Sequence, residues 1–207
     1  MIRSPLLDLD WLAHGFGTRE SVPPPELTTV KQIHSAQILD ACGRRGEQIG
    51  EGDAIASAEA GIAIGIRTAD CVPILFADPE TRIVACAHAG WRGTAANIAA
   101  GTVARMKALG ADPKNIVAAI GPSIGQCCYE VSPETAAHFD RWRTTTHGEL
   151  KPHLDLPSIN EHQLMEEGVH RVWKSGDCTY CRADRYFSFR REKEQAGRML
   201  SFVSRIA

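Results

Sequence analysis

The sequence predicts a mixed α/β sandwich. Three observations carry that expectation. Short apolar runs of strand character recur through the middle of the chain, one strongly helical segment lies between two of them, and extended segments return near the C-terminus. Residues 1–29 are expected to be irregular, because Pro23-Pro24-Pro25 forbids a regular element there. Gly61–Ile66 places isoleucine at every second position and reads as a strand. Val72–Phe76 is a second strand, closed by Asp78-Pro79, and Ile83–His88 is a third. The segment Thr94–Leu109 keeps its apolar residues at three-four spacing, as the buried face of a helix does. Thr94 suits its N-cap and Gly110 its stop. Ile116–Ile120 continues the strand series and ends at Gly121-Pro122. Ser132-Pro133-Glu134 opens a further helix, with a capping hydroxyl followed by proline at the first helical position. A third helix is expected over Asn160–Lys174, stopped by Gly176. Tyr186–Arg190 and Met199–Ile206 read as extended, and one dominant sheet region is expected overall.

Length and composition bound the rest. A chain of 207 residues without an internal repeat or a composition shift is read as one domain over 1–207. A net charge of −2 argues against a dedicated nucleic-acid binder, which carries a basic excess. No apolar run approaches the roughly 18 residues that span a bilayer, and the N-terminus lacks the pattern of a secretory signal. The expectation is a cytoplasmic protein with no membrane or nucleic-acid partner. Oligomeric state is not legible. Seven cysteines, an odd number, are expected to be reduced thiols rather than a disulfide framework.

Three segments combine metal-capable side chains with the ends of expected elements. They are Lys31-Gln32-Ile33-His34, Thr68-Ala69-Asp70-Cys71 and His88-Ala89-Gly90-Trp91-Arg92-Gly93. Cys71 begins one strand and His88 ends the next, so antiparallel pairing of the two would bring them to one sheet edge. His34 could complete a triangle. Two imidazoles and a thiolate suit Zn²⁺, leave a fourth position open, and can lower the pKa of water to about 7. Spacing alone does not separate this reading from three structural side chains. The glycine turn before the helix could present N–H groups to an anion, with Arg92 adding a bidentate contact and Trp91 a stacking face. Cys178-x-x-Cys181 with the adjacent pair Cys127-Cys128 is poor geometry for one tetrahedral ion, so these thiols are expected to pack without a role. His138, His147, His153, His162 and His170 are assigned no role, with His147 and His153 flanking a surface loop.

Taken together, these stretches resemble the bacterial laccase-domain family, also described as multicopper polyphenol oxidases, zinc-dependent purine nucleoside phosphorylases and peptidoglycan editing factors. The resemblance includes Gly52-Asp53-Ala54, Ile120–Ile124, Cys128-Tyr129-Glu130-Val131, Cys178-Thr179-Tyr180 and Phe187–Arg191, and it spans roughly residues 30–205. It implies a single-domain, layered α/β/β/α sandwich with mixed sheets. It implies metal ligation by His34, Cys71 and His88, with Zn²⁺ as the ion and copper as its alternative. It implies phosphorolysis of adenosine, inosine, guanosine and methylthioadenosine, and deamination of adenosine. On that basis Asp70 and Arg92 are the candidate catalytic residues. Gln32, Trp91 and Arg190 are the candidate substrate contacts, with Arg92 and Arg190 on phosphate and Trp91 on the purine. The chain departs from the family at Phe189, where tyrosine is usual, and in the short stretch between Thr18 and His34. Two other enzymes stay in view: an amidase editing peptidoglycan precursors, either through a Cys71–His88 pair or through a metal, and a copper polyphenol oxidase, although multicopper sites draw on more imidazoles than these segments hold. A non-catalytic binding module is the remaining alternative.

Overall fold

The computed structural model describes residues 1–142 and 151–206. Among the described residues, eleven strands form two mixed sheets rather than one dominant region. The first sheet joins β1 (Leu12–Gly15), β11 (Met199–Arg205), β6 (Ala63–Thr68), β2 (Leu27–Lys31) and β4 (Gln48–Glu51), in that order. The second joins β10 (Arg171–Lys174), β9 (Val117–Ile120), β7 (Val72–Ala77), β8 (Val84–Ala89), β5 (Ala54–Ser57) and β3 (Ile38–Asp40).

The period-two alternation of the strands divides the core in two. In β7, Leu75 and Ala77 join Ile64, Ile66 and Val203 of the other sheet in one apolar cluster. Ile74 and Phe76 point the other way, into a cluster with Ile98, Val103 and Met106 of helix α2 (Ile98–Ala108) and Leu156, Ile159 and Leu164 of helix α4 (Leu156–Glu166). The layers are therefore sheet, sheet and helices. Alanine supplies much of the helix-facing surface of the six-stranded sheet, at Ala54, Ala56, Ala85, Ala87 and Ala118.

Several local expectations change. The N-terminal segment is not wholly irregular: Leu12–Gly15 forms an edge strand paired antiparallel with β11, although the three prolines stay outside any element. The helix expected from Thr94 begins earlier and breaks. Helix α1 spans Trp91–Ala95 after Gly90, and the left-handed Asn97, φ 57°, separates it from α2. Thr94 is thus inside a helix, not its cap. Its hydroxyl accepts from Asn160 Nδ2 at 3.0 Å and its carbonyl accepts from Gln163 Nε2 at 2.9 Å, which docks α4 on α1. Ser132 does cap α3 (Pro133–Ala137), accepting from the Thr135 N–H. The helix expected to reach Lys174 ends at Glu166. After Gly168, φ +88°, the chain continues as β10, parallel to β9. Phe189–Glu192 is a short helix, α5, capped by Ser188, where an extended segment was expected. His147 lies outside the described residues. Among the described residues no helix is long and apolar enough to cross a membrane.

Candidate metal centre and adjoining cavity

Strands β7 and β8 pair antiparallel, with Pro73 opposite His88. Counting by twos, Cys71 shares the inter-sheet face of Leu75, and His88 shares that of Cys86. Register and pleat together place the two side chains on one face at one end of the hairpin. His34 arrives from the turn after β2, where it adopts a left-handed φ of 60°. The ligand atoms of His34, Cys71 and His88 all lie within 4.8 Å of one another. The two imidazoles meet edge to face, with centroids 4.9 Å apart.

Asp53 organises this trio. It is fully buried, and its carboxylate accepts from the backbone N–H groups of His34 at 3.0 Å and Ser35 at 2.6 Å, and from the Ser35 hydroxyl at 2.8 Å. The same carboxylate lies 2.8 Å from His88 Nδ1. One acid therefore shapes the His34 turn and orients His88, leaving the Nε2 of His88 for the trio. This carboxylate–histidine pairing is the usual outer support of a metal ligand. Burial works against the Asp53 charge, but His88 and Ser35 outweigh it and bring its pKa down to about 2. Burial likewise opposes the His88 cation, yet Asp53 and Cys71 raise its pKa to about 9. Burial pushes the Cys71 thiol up, and hydrogen bonds and charge from His34 and His88 reverse this, to about 6. The trio thus favours thiolate at neutral pH, the form in which cysteine ligates metal.

Gly90 closes the trio from behind. A Cβ there would lie 3.0 Å from Cys71 Sγ and 3.4 Å from His34 Cδ2. Two nitrogens and a sulfur, a supported imidazole and a thiolate-favouring field fit a borderline ion such as zinc, with a coordination position left over. The open side faces a cavity of about 700 Å³, within the range that holds small-molecule ligands. Its lining is cationic: Lys31, Arg67, Arg190, Lys193 and Arg198 contribute to it, against the single acid Asp70. For a chain of net charge −2 this is a marked local excess.

The other anticipated residues fall in different places. Gln32 lines the cavity, but its amide is held in a reciprocal pair with the backbone of Arg67, both bonds 2.8 Å. Asp70, at φ 91°, accepts from the Thr179 hydroxyl at 2.6 Å, the Ser188 hydroxyl at 3.1 Å and the Arg190 N–H at 2.7 Å. Most of its acceptor capacity is therefore committed to holding loops together. Arg190 donates twice to the Glu130 carbonyl at 2.9 Å and covers the Tyr129 ring. Trp91 packs against the helix-side core and His138, and it lines a neighbouring cavity that shares Tyr129 and Arg190 with the first. Arg92 is exposed with its guanidinium over the Trp91 ring, and neither residue lines the cavity beside the trio.

Sequence reading missed three things. Asp53 carried no assigned role, although its place at the start of β5 beside Gly52 was a signal. Arg67 of β6 meets Lys193 and Arg198 of the stretch between α5 and β11, a convergence that no local pattern discloses. The third concerns Cys127, Cys128, Cys178 and Cys181, expected to be idle: their sulfurs all lie within 4.8 Å of one another.

Comparison with known proteins identifies the family. A family model described as multi-copper polyphenol oxidoreductase laccase matches residues 15–206. A protein of Deinococcus radiodurans named purine nucleoside phosphorylase is 39% identical over 183 residues, covering 86% of this chain and 70% of that protein. A protein named adenosine deaminase RL5, from an unknown prokaryotic organism, is 39% identical over 162 residues, or 74% of this chain and 62% of its own length. Among solved structures, that of YlmD from Geobacillus stearothermophilus gives a TM-score of 0.85 at 28% identity, covering 99% of this chain and 94% of that one. The chain belongs to the multi-copper polyphenol oxidoreductase laccase family.

Proposed function

We infer that this protein is a zinc-dependent enzyme of purine nucleosides, cleaving them with phosphate and deaminating adenosine. The observation that carries the reading is the His34–Cys71–His88 trio at the wall of a cationic, nucleoside-sized cavity. The names of the relatives, purine nucleoside phosphorylase and adenosine deaminase, support it.

When bound, zinc supplies a Lewis acid that makes water available as a nucleophile near neutral pH. His34, Cys71 and His88 would hold it, and Asp53, at His88 Nδ1, would keep His88 in the ligating tautomer. For phosphorolysis, Arg67, Lys193 and Arg198 attract phosphate to the cavity and hold it toward the ribose. A phosphate oxygen forms its bond to the anomeric carbon as the bond to the base breaks, and the departing base takes up a proton. Positive charge builds on the ribosyl group in that step, and the held phosphate stabilises it. For deamination, water adds at the purine carbon bearing the amino group, and ammonia leaves. Burial raises the Tyr129 hydroxyl pKa to about 12, so it remains a proton-bearing donor at the wall. Phe189, 44% exposed on the cavity, offers the apolar face for the base in place of Trp91. Asp70 serves as a positioning residue between Cys71 and α5. Gln32 fixes the β2 turn against β6.

The test is to incubate the purified protein with adenosine, with and without phosphate. The expected products are adenine and ribose 1-phosphate in the first case and inosine in both. No product under either condition overturns the reading. The low Cys71 pKa also suits a metal-free cysteine amidase, and inhibitors separate the two. Chelation abolishes a zinc enzyme, whereas a thiol–imidazole pair survives chelation and yields to alkylation.

A further inference from the structure

We propose that Cys127, Cys128, Cys178 and Cys181 form a second, structural zinc site that staples two long loops behind the candidate metal centre. The loops are residues 121–132, between β9 and α3, and residues 175–188, between β10 and α5. Neither contains a helix or strand, and irregular segments of this length need something to fix them.

The sulfur geometry matches a tetrahedral ion. Cys181 Sγ lies 3.4 Å from Cys128 Sγ and 3.8 Å from Cys127 Sγ, and all four sulfurs fall within 4.8 Å of one another. Zinc–sulfur bonds of about 2.3 Å at tetrahedral angles separate the sulfurs by about 3.8 Å. A disulfide would need about 2.05 Å. The adjacency of Cys127 and Cys128 is accommodated by a turn in which the N–H groups of Cys128 and Tyr129 donate to the Gly125 carbonyl. A second observation points the same way. The Gly125 N–H donates to Cys178 Sγ at 3.2 Å, a contact that favours a thiolate. Backbone pairing aligns the two loops: Ser123 and Cys178 form a parallel bridge, and the Thr179 N–H donates to the Ser123 carbonyl at 2.9 Å.

Four sulfurs complete a tetrahedron and leave no position for substrate, so this site is structural where the trio is open. On binding, each thiol gives up its proton and the ion with its ligands carries a charge of −2. The consequence for the trio runs through Asp70. Thr179, between the two cysteines of the second loop, donates to the Asp70 carboxylate, and the Ile124 N–H of the first loop donates to the Asp70 carbonyl at 2.9 Å. Both stapled loops thus grip the residue before Cys71.

The test combines metal counting with thiol protection, using zinc itself as the probe. Protein purified under reducing conditions is expected to hold two zinc ions per chain by native mass spectrometry. Cys178→Ser with Cys181→Ser is expected to lower that to one, and Cys71→Ala independently removes the other. Should the double variant fail to fold, alkylation of the zinc-loaded wild type reads the same property. Cys42, Cys127 and Cys181 are all exposed. Cys42 is expected to label at once, and Cys127 and Cys181 only after chelation. Labelling of Cys127 and Cys181 as fast as Cys42 would overturn the proposal. So would a mass lowered by the hydrogens lost to disulfides, or an unchanged zinc count in a folded double variant. None of these outcomes bears on the trio, which stands or falls by Cys71→Ala.

Discussion

Two sulfur-containing clusters lie in this fold, and they are built in opposite ways. The trio hangs from regular structure: Cys71 and His88 are fixed by the register of β7 and β8, and a buried carboxylate supports His88 from behind. The cysteine quartet is carried by two loops without regular structure, where a backbone N–H, that of Gly125, donates to Cys178 Sγ. The trio mixes nitrogen with sulfur and opens on a cavity. The quartet is all sulfur and closes on itself. Ligand number and support, more than the presence of cysteine, separate a reacting site from a stapling one.

The largest effect expected is on the trio. Cys71→Ala should remove its ion and lower turnover by about 1000-fold or more, since several kcal/mol of transition-state stabilisation go with the metal. Steady-state assays paired with metal analysis check this, and the quartet's ion should remain.

A pH titration of stability sets a reference away from both clusters. His14 in β1 is buried, and its Nε2 accepts from the Ser4 N–H at 3.0 Å. Burial, then the Arg3 charge, lower its pKa from 6.5 to about 4. The folded protein therefore holds His14 neutral while the unfolded chain takes up a proton. Its contribution is full above pH 6.5 and is lost as pH falls from there toward 4, by up to about 3 kcal/mol. Denaturant midpoints across that range should fall, and His14→Gln should flatten the slope.

Asp53→Asn removes the charge behind His88 and should weaken zinc binding or turnover by about 10- to 100-fold, with the quartet's ion unaffected. The smallest effect joins the two regions. Thr179→Val deletes one donor to Asp70 and should cost about 1.5 kcal/mol of stability while both ions stay bound.

Much of this was legible in the sequence where local pattern and long-range pairing agree. The alternation of Ile62, Ile64 and Ile66, the apolar run of Val72–Phe76 and the strand ending at His88 each mark a strand, and their pairing carries Cys71 to His88. Where the partner is distant, pattern failed. Arg171–Lys174 carries helix-compatible residues but becomes a strand because β9 offers an edge. Spacing alone hides the quartet, since adjacency of Cys127 and Cys128 says nothing about a turn around Gly125. The cationic lining is assembled from β2, β6, α5 and the stretch between α5 and β11, so its excess appears only in three dimensions.

An ion at His34, Cys71 and His88, with the nucleoside in the cavity beside it, is what the proposed chemistry requires. Crystals soaked with adenosine and phosphate, measured on either side of the zinc absorption edge, test it most directly. The expected result is an anomalous peak within bonding distance of all three donor atoms and a purine against Phe189. A trio without anomalous density in zinc-supplied crystals, or a nucleoside bound away from that cavity, would contradict it.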